Sequence, residues 1–151
     1  MGDGPADLQE IGEVDMAKGV VIHSEKVKPF VCDESYSSKM LLDDMVAGDE
    51  AINVNEGTLK GGCKTGGGVH QKNEIYYVVK GEAVLHLDDE VYDIHPGSLV
   101  FIPGGVFHSL NNKSETEDFV LLTFWQRAED NEVWHTRFNA WGTTFKTIDE
   151  E

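Results

Sequence analysis

The stretch GGGVHQKNEIYYVVKG, residues 66–81, decides the reading of this chain. Glycines crowd its start, strand-forming residues fill its second half, and His70 and Glu74 stand four positions apart at the join. Side chains on an extended strand alternate faces, so the pattern predicts His70, Lys72, Glu74, Tyr76 and Val78 on one side. That pairs a nitrogen donor with an oxygen donor on a shared face, a combination suited to a divalent cation.

A second stretch, GSLVFIPGGVFHSLNN at residues 97–112, supplies another imidazole, His108. Pro103 fixes the chain ahead of it, and Gly104 and Gly105 admit backbone angles that a side chain forbids. Around both stretches, short β-rich runs are broken by Gly, Pro or Asn-Asn. They cover residues 51–59, 69–80, 82–87, 90–94, 99–102, 106–110 and 119–125, the rhythm of an all-β sandwich or barrel. LDDE at 87–90 reads as a hairpin turn, with Asp favoured because its side chain can bond its own backbone. Upstream, residues 19–32 read as a strand or two ending near Pro29, and residues 36–50 as either a short helix or a strand followed by an acidic turn.

The organisation expected is a flexible acidic leader at 1–18 and a single domain at 19–151, with its core barrel at about 51–125. A short C-terminal extension carries Trp134, Phe138, Trp141 and Phe145, expected to pack outside the sheet or across a dimer interface. The chain has 28 Asp and Glu against 12 Lys and Arg, a net charge of −16. Such a surface repels phosphate backbones and anionic lipid, which disfavours nucleic-acid and membrane partners. The two cysteines, Cys32 and Cys63, have no metal-ribbon spacing, and neither a secretory signal nor a membrane-length apolar run is visible. A cytoplasmic, reducing setting is the expectation.

These residues carry a family resemblance. Gly62, His70, Glu74 and Gly81 fit G-x5-H-x-H-x3,4-E-x6-G, and Gly97, Pro103, Gly105, His108 and Asn112 fit G-x5-P-x-G-x2-H-x3-N, the two motifs of the cupins. The chain resembles a small single-domain cupin, which implies a jelly-roll-like antiparallel β-barrel. One position departs: Gly68 stands where the family has its first histidine. Taking His70 as that histidine instead would put Lys72 in the second place and break the spacing to Glu74.

The resemblance implies His70, Glu74 and His108 as metal ligands, with one imidazole missing. Two imidazoles and one carboxylate with open positions suit Fe(II), and three-ligand sites also serve Mn, Zn or Ni as Lewis acids. The motif is also similar to that of hydroxypropylphosphonate epoxidase, a cupin iron enzyme that omits the same histidine, which places iron first. Tyr76 and Lys72 are the candidate catalytic residues: on a regular strand Tyr76 lines the cavity and Lys72 holds an anionic group near the rim. The blander reading of Tyr76 is core filling. His23, His86, His95 and His135 read as ordinary surface or turn histidines, and Cys63 as a buried thiol rather than a soft ligand. Arg127 and Arg137 are candidate anion clamps on account of arginine's scarcity here.

Three functions follow. The first is an Fe(II)- and O₂-dependent oxygenase or oxidase acting on a small, polar, oxygen-rich metabolite. The second is a non-redox isomerase, epimerase or lyase of sugar-like or hydroxy-acid substrates, with Glu74 or Tyr76 as base. The third is a non-catalytic ligand-binding protein. A homodimer is expected, because the edges of an open barrel need cover.

Overall fold

The structure, a computed structural model, describes residues 18–31, 33–126 and 146–147. In chain order the strands are β1 (Phe30–Val31), β2 (Tyr36–Leu42), β3 (Asn53–Leu59), β4 (Glu74–Lys80), β5 (Ala83–Leu87), β6 (Glu90–Ile94), β7 (Leu99–Ile102), β8 (His108–Asn112), β9 (Phe119–Trp125) and β10 (Lys146–Thr147). A four-residue helix, α1 (Asp44–Ala47), stands between β2 and β3. Among the described residues the strands make a seven-stranded sheet, ordered β10-β1-β2-β3-β9-β4-β7, and a three-stranded sheet, ordered β6-β5-β8. All their pairings are antiparallel, so the all-β class read from the punctuation, and the jelly-roll-like barrel that the resemblance implied, are observed. No helix among the described residues is long and apolar enough to cross a membrane.

The pleat creates an inner face that changes character along its length. β3 and β9 pair in unbroken register from Asn53↔Trp125 to Leu59↔Phe119, and both alternate buried with half-buried positions. β4 extends the rows, with Val78 opposite Leu121, Tyr76 opposite Thr123 and Glu74 opposite Trp125. Leu59, Val78, Phe119 and Leu121 fill one end with no exposure, each contributing about 1.5–3 kcal/mol by burial. Asn53, Asn55, Thr123 and Glu74 occupy the other end, also buried. Polar groups on an inner barrel face are costly unless partnered, so this end is where chemistry belongs. The outer face of β4 and β7 is apolar too, with Ile75 opposite Phe101 and Tyr77 opposite Leu99.

Several local expectations are corrected. Within the run expected as strand at 19–32, the described residues 19–31 form one 3-10 turn, Ser24–Lys26, and the two-residue β1 rather than full strands. Side chains tie this segment down instead of a ladder: Ser24 Oγ donates to Glu56 at 2.7 Å and Lys39 Nζ donates to the Ser24 carbonyl at 2.8 Å. The two readings of residues 36–50 are each met in part: β2 covers Tyr36–Leu42, and the four-residue α1 takes the place of the acidic turn after it. Asp43 caps α1 by accepting from Val46 N at 2.9 Å, and Gly48, at φ 71°, ends it.

The run expected as strand at 69–80 begins only at Glu74, because the chain before it bonds to the turn ahead of β8. Gly105 N donates to the His70 carbonyl at 2.8 Å and Gly104 N to Asn73 Oδ1 at 2.9 Å. The strict alternation that placed His70 and Lys72 beside Glu74 therefore does not govern them. At the β5–β6 hairpin Asp88 takes φ 50°, and its carboxylate accepts from Phe107 N rather than from its own turn. The leader at residues 1–17, Cys32, Arg127, His135, Arg137 and the aromatics Trp134, Phe138, Trp141 and Phe145 lie outside the described residues.

Asn112, the last motif position, joins three segments. Its Nδ2 donates to the carbonyls of Leu59 (3.1 Å), Lys60 (3.2 Å) and Glu117 (2.9 Å), and its Oδ1 accepts from Ser114 N at 2.9 Å. Asn112→Ala would strand the buried Leu59 carbonyl, at about 1–3 kcal/mol, and lose three part-buried bonds whose partners can turn to water. Urea denaturation should show a loss of about 2–4 kcal/mol. A loss near zero would remove Asn112 as a structural tie.

Candidate metal centre

Three donors reach one point, one from a loop and two from strand starts. His70 sits in the bend before β4, Glu74 is the first residue of β4, and His108 is the first residue of β8. Nε2 of His70 lies 3.2 Å, and Nε2 of His108 3.4 Å, from the same oxygen, Glu74 Oε1. The three donor atoms fall within 4.8 Å of one another. Ligands about 2.1 Å from a common ion and at right angles stand roughly 3 Å apart, which these separations approach.

The hydrogen bonds behind the rings select the donor atom. His70 Nδ1 is 2.7 Å from the Lys72 carbonyl and His108 Nδ1 is 3.0 Å from the Val106 carbonyl. A carbonyl only accepts, so both Nδ1 atoms carry hydrogen, and in their neutral form the rings present Nε2 lone pairs to Glu74. Two lone pairs and a carboxylate around one point repel unless a cation joins them, so this donor set fits a divalent metal. Protonation is the competing remedy. Burial alone would lower His108, but its bond to Glu74, the Val106 carbonyl and the Glu74 charge outweigh that and hold its pKa above the ordinary 6.5.

A cavity of about 340 Å³ opens over the three donors, bounded on one side by Gly66, Gly67 and Gly68. Gly68 forms an isolated bridge with His108, each amide donating to the other's carbonyl at 3.1 Å. A Cβ added at Gly68 would meet nothing within 4 Å, so the backbone position of the absent histidine opens on the cavity beside the donors.

Tyr76 lines this cavity, with its ring 6.2 Å from that of His108. Lys72 is not among its lining residues; it is half-buried in the bend and serves His70 through its backbone carbonyl. Cys63 is a free thiol packed against the hydrophobic core, outside the donor group. His23 and His95 are exposed and His86 is half-buried on the outward face of β5; none joins the three donors.

Sequence reasoning missed Tyr36, Thr123 and Trp125, all of which line the cavity. Gly57 signalled the first: a glycine inside a strand often marks a close approach, and a Cβ there would collide with the Tyr36 ring. Trp125 gave no comparable sign, because its place beside Glu74 depends on the pairing of β9 with β4. At the mouth, Asp33 accepts from Ser35 N, Ser35 Oγ and Tyr36 N. Partial burial raises its pKa, but these donors outweigh that and hold it below the ordinary value.

Residues 54–125 match the cupin domain family. An uncharacterized protein of Streptomyces coelicolor is 37% identical over 46 residues, 30% of this chain and 44% of that protein, so the chain spans less than half of that relative's length. Two solved structures share the fold. A predicted oxalate decarboxylase from Thermotoga maritima has a TM-score of 0.63 at 24% identity, covering 72% of this chain and 100% of its own. The polyketide cyclase RemF from Streptomyces resistomycificus has a TM-score of 0.63 at 19% identity, covering 83% and 99%.

Three outcomes are expected at this site. Metal competes with a proton for His108, whose pKa is raised, so Co(II) affinity should weaken as pH falls, beginning above pH 6.5, with protons released on binding wherever the ring is protonated. In metal-free protein the raised His108 stabilises the fold fully below its unfolded value and loses that contribution as pH rises through its folded one. Calorimetric titration in buffers of different ionisation enthalpy checks the first; affinity constant across about pH 6 to 8 would count against it. Gly68→His should restore a fourth ligand and tighten Co(II) by tenfold or more, about 1.4 kcal/mol, as measured by chelator competition.

Proposed function

Residues 54–125 form a cupin domain, and on that footing we propose that the protein is a mononuclear metal-dependent enzyme for a small, polar, oxygen-rich metabolite. The observation that carries this reading is the convergence of two imidazole nitrogens and one carboxylate oxygen beside the open space at Gly68. A divalent cation held there would polarise a substrate oxygen, and iron(II) would add chemistry with O₂. Iron is the first choice of metal; Mn, Zn and Ni suit the same donors for Lewis-acid work.

The chain's own residues have definable parts in this reading. His70, Glu74 and His108 hold the ion. Gly66 and Gly68 admit a substrate that brings two oxygens to it, because a Cβ at either position would meet nothing within 4 Å. Tyr76 and Tyr36 offer phenols, and Thr123 a hydroxyl, from the cavity wall to orient substrate oxygens. Trp125 and the buried end of β9 keep bulk water off the inner side.

A second reading, non-redox isomerisation or elimination, draws on Tyr76, a buried phenol on the cavity wall beside His108. There Tyr76 moves a proton to or from the substrate carbon while the ion polarises the adjacent carbonyl. Both neighbouring structures, a predicted decarboxylase of oxalate and a cyclase of polyketides, bear names that imply oxygen-rich substrates, which agrees with either reading at the level of fold.

Metal analysis of anaerobically purified protein, followed by oxygen-uptake assays with α-hydroxy and α-keto acids, divides these readings. Iron at one per chain with substrate-dependent O₂ uptake supports the first. Zinc or manganese with turnover in the absence of O₂ supports the second, and Tyr76→Phe should then lower kcat by about 10²–10⁴. No stoichiometric metal, together with ligand binding that survives His70→Ala, would overturn both in favour of a non-catalytic binding protein.

A further inference from the structure

The ligand His70 has the least backbone support of the three. It follows Gly66, Gly67 and Gly68 in a bend, while Glu74 and His108 are held in strand ladders. Its Nδ1 partner, the Lys72 carbonyl, belongs to the same bend and moves with it. The backbone bond from Gly105 N to the His70 carbonyl holds the chain but not the ring. The ring is held at its edge, by the Lys72 carbonyl at Nδ1 and by Glu74 Oε1 at Nε2, which leaves its faces in need of packing from the barrel wall.

Trp125 meets that need. Its ring centroid lies 4.8 Å from that of His70, with the planes tilted by 49°. The His70 ring also meets that of His108, with centroids 4.7 Å apart and planes at 73°. The indole is itself fixed: Nε1 donates to Thr123 Oγ1 at 3.1 Å, and both residues are buried. In the sheet Trp125 stands directly opposite Glu74, so one residue touches the ring of one ligand and is paired in register with another.

We infer that Trp125 is a positioning residue of the metal centre, its indole, locked by Thr123, serving as the wall that holds His70 Nε2 toward Glu74 and His108. The inference rests on the metal-centre reading above. A free imidazole on a glycine-rich bend has two ring flips and several χ1 choices. Packing against a locked indole removes them before the cation arrives, and that preorganisation is what affinity gains from a supporting shell.

The test uses the full chain and Co(II) as probe. Affinity is read by chelator competition well below the unfolding temperature, for wild type, Trp125→Leu, Trp125→Phe and Thr123→Val. Trp125→Leu should weaken Co(II) binding about tenfold to a hundredfold, the range seen when outer-shell partners are lost. Trp125→Phe keeps an aromatic face and should stay within about threefold of wild type. Thr123→Val, which leaves the indole in place but unlocks it, should fall between them and serves if Trp125→Leu does not fold.

A second readout needs no metal. ¹⁵N-correlated imidazole spectra of apo protein should show His70 as the single Nδ1–H tautomer in wild type and as a tautomer mixture in Trp125→Leu. A merely structural tryptophan would lower the melting temperature of Trp125→Leu and Trp125→Phe while leaving Co(II) affinity and the His70 tautomer unchanged, and that result overturns the inference. Failure of the wild type to bind one Co(II), or binding that persists in His108→Ala, would overturn the metal-centre reading itself. The tautomer spectra still decide whether Trp125 orders His70.

Discussion

An ionised carboxylate at 3% exposure is costly unless positive charge meets it, and Glu74 sits at that depth with two imidazole nitrogens facing one of its oxygens. Much of the polar end of the barrel can be understood from that constraint. Both rings are turned by backbone carbonyls so that their lone-pair nitrogens point inward, an arrangement that without a cation or proton would be repulsive. The fold tolerates it because the opposite end of the barrel is apolar, with Leu59, Val78, Phe119 and Leu121 fully buried. Stability and chemistry are thus separated along the same strands: β4 gives Val78 to the core and Glu74 to the site, and β9 gives Phe119 and Leu121 to the one and Thr123 and Trp125 to the other.

The motif glycines and the proline act on this arrangement through geometry. Gly105, at φ 89°, lets the turn after Pro103 bring its amide to the His70 carbonyl, which fastens the bend bearing one ligand to the approach of the strand bearing another. Asn112 then anchors the far end of that strand to the end of β3. The site depends less on any single strand than on two turns being tied to each other across the barrel mouth.

Much of this was legible in the sequence, for physical reasons that differ by element. β7 and β9 occupy the residues expected of them, since breakers bound the runs at 99–102 and 119–125. The three donors were identified by motif resemblance, and they do converge. Strand alternation, in contrast, was the wrong reason to group His70 with Glu74, because His70 lies in a bend whose hydrogen bonds go to residues more than thirty positions on. Lys72 was misplaced by the same argument. Trp125 stayed hidden because FVLLTFW and EIYYVVK are apolar on both faces, so neither strand advertises its inner side, and only the register sets Trp125 against Glu74. Residues 19–32 were misread because contacts from Ser24 to Glu56 and Lys39, invisible to local pattern, replaced a ladder.

The uneven footing of the three donors bears on how fast an ion would come and go. Glu74 and His108 can separate from the barrel only if β4 or β8 unzips, a rare event in a cooperative sheet. The segment carrying His70 is joined to β8 by the paired amides of Gly68 and His108 and to the 103–105 turn by Gly104 and Gly105. Detaching it asks for far fewer broken bonds than melting the domain. Loading and escape of a cation would then follow the opening frequency of this one latch, giving an exchangeable centre within a durable shell rather than an ion entombed until the protein unfolds.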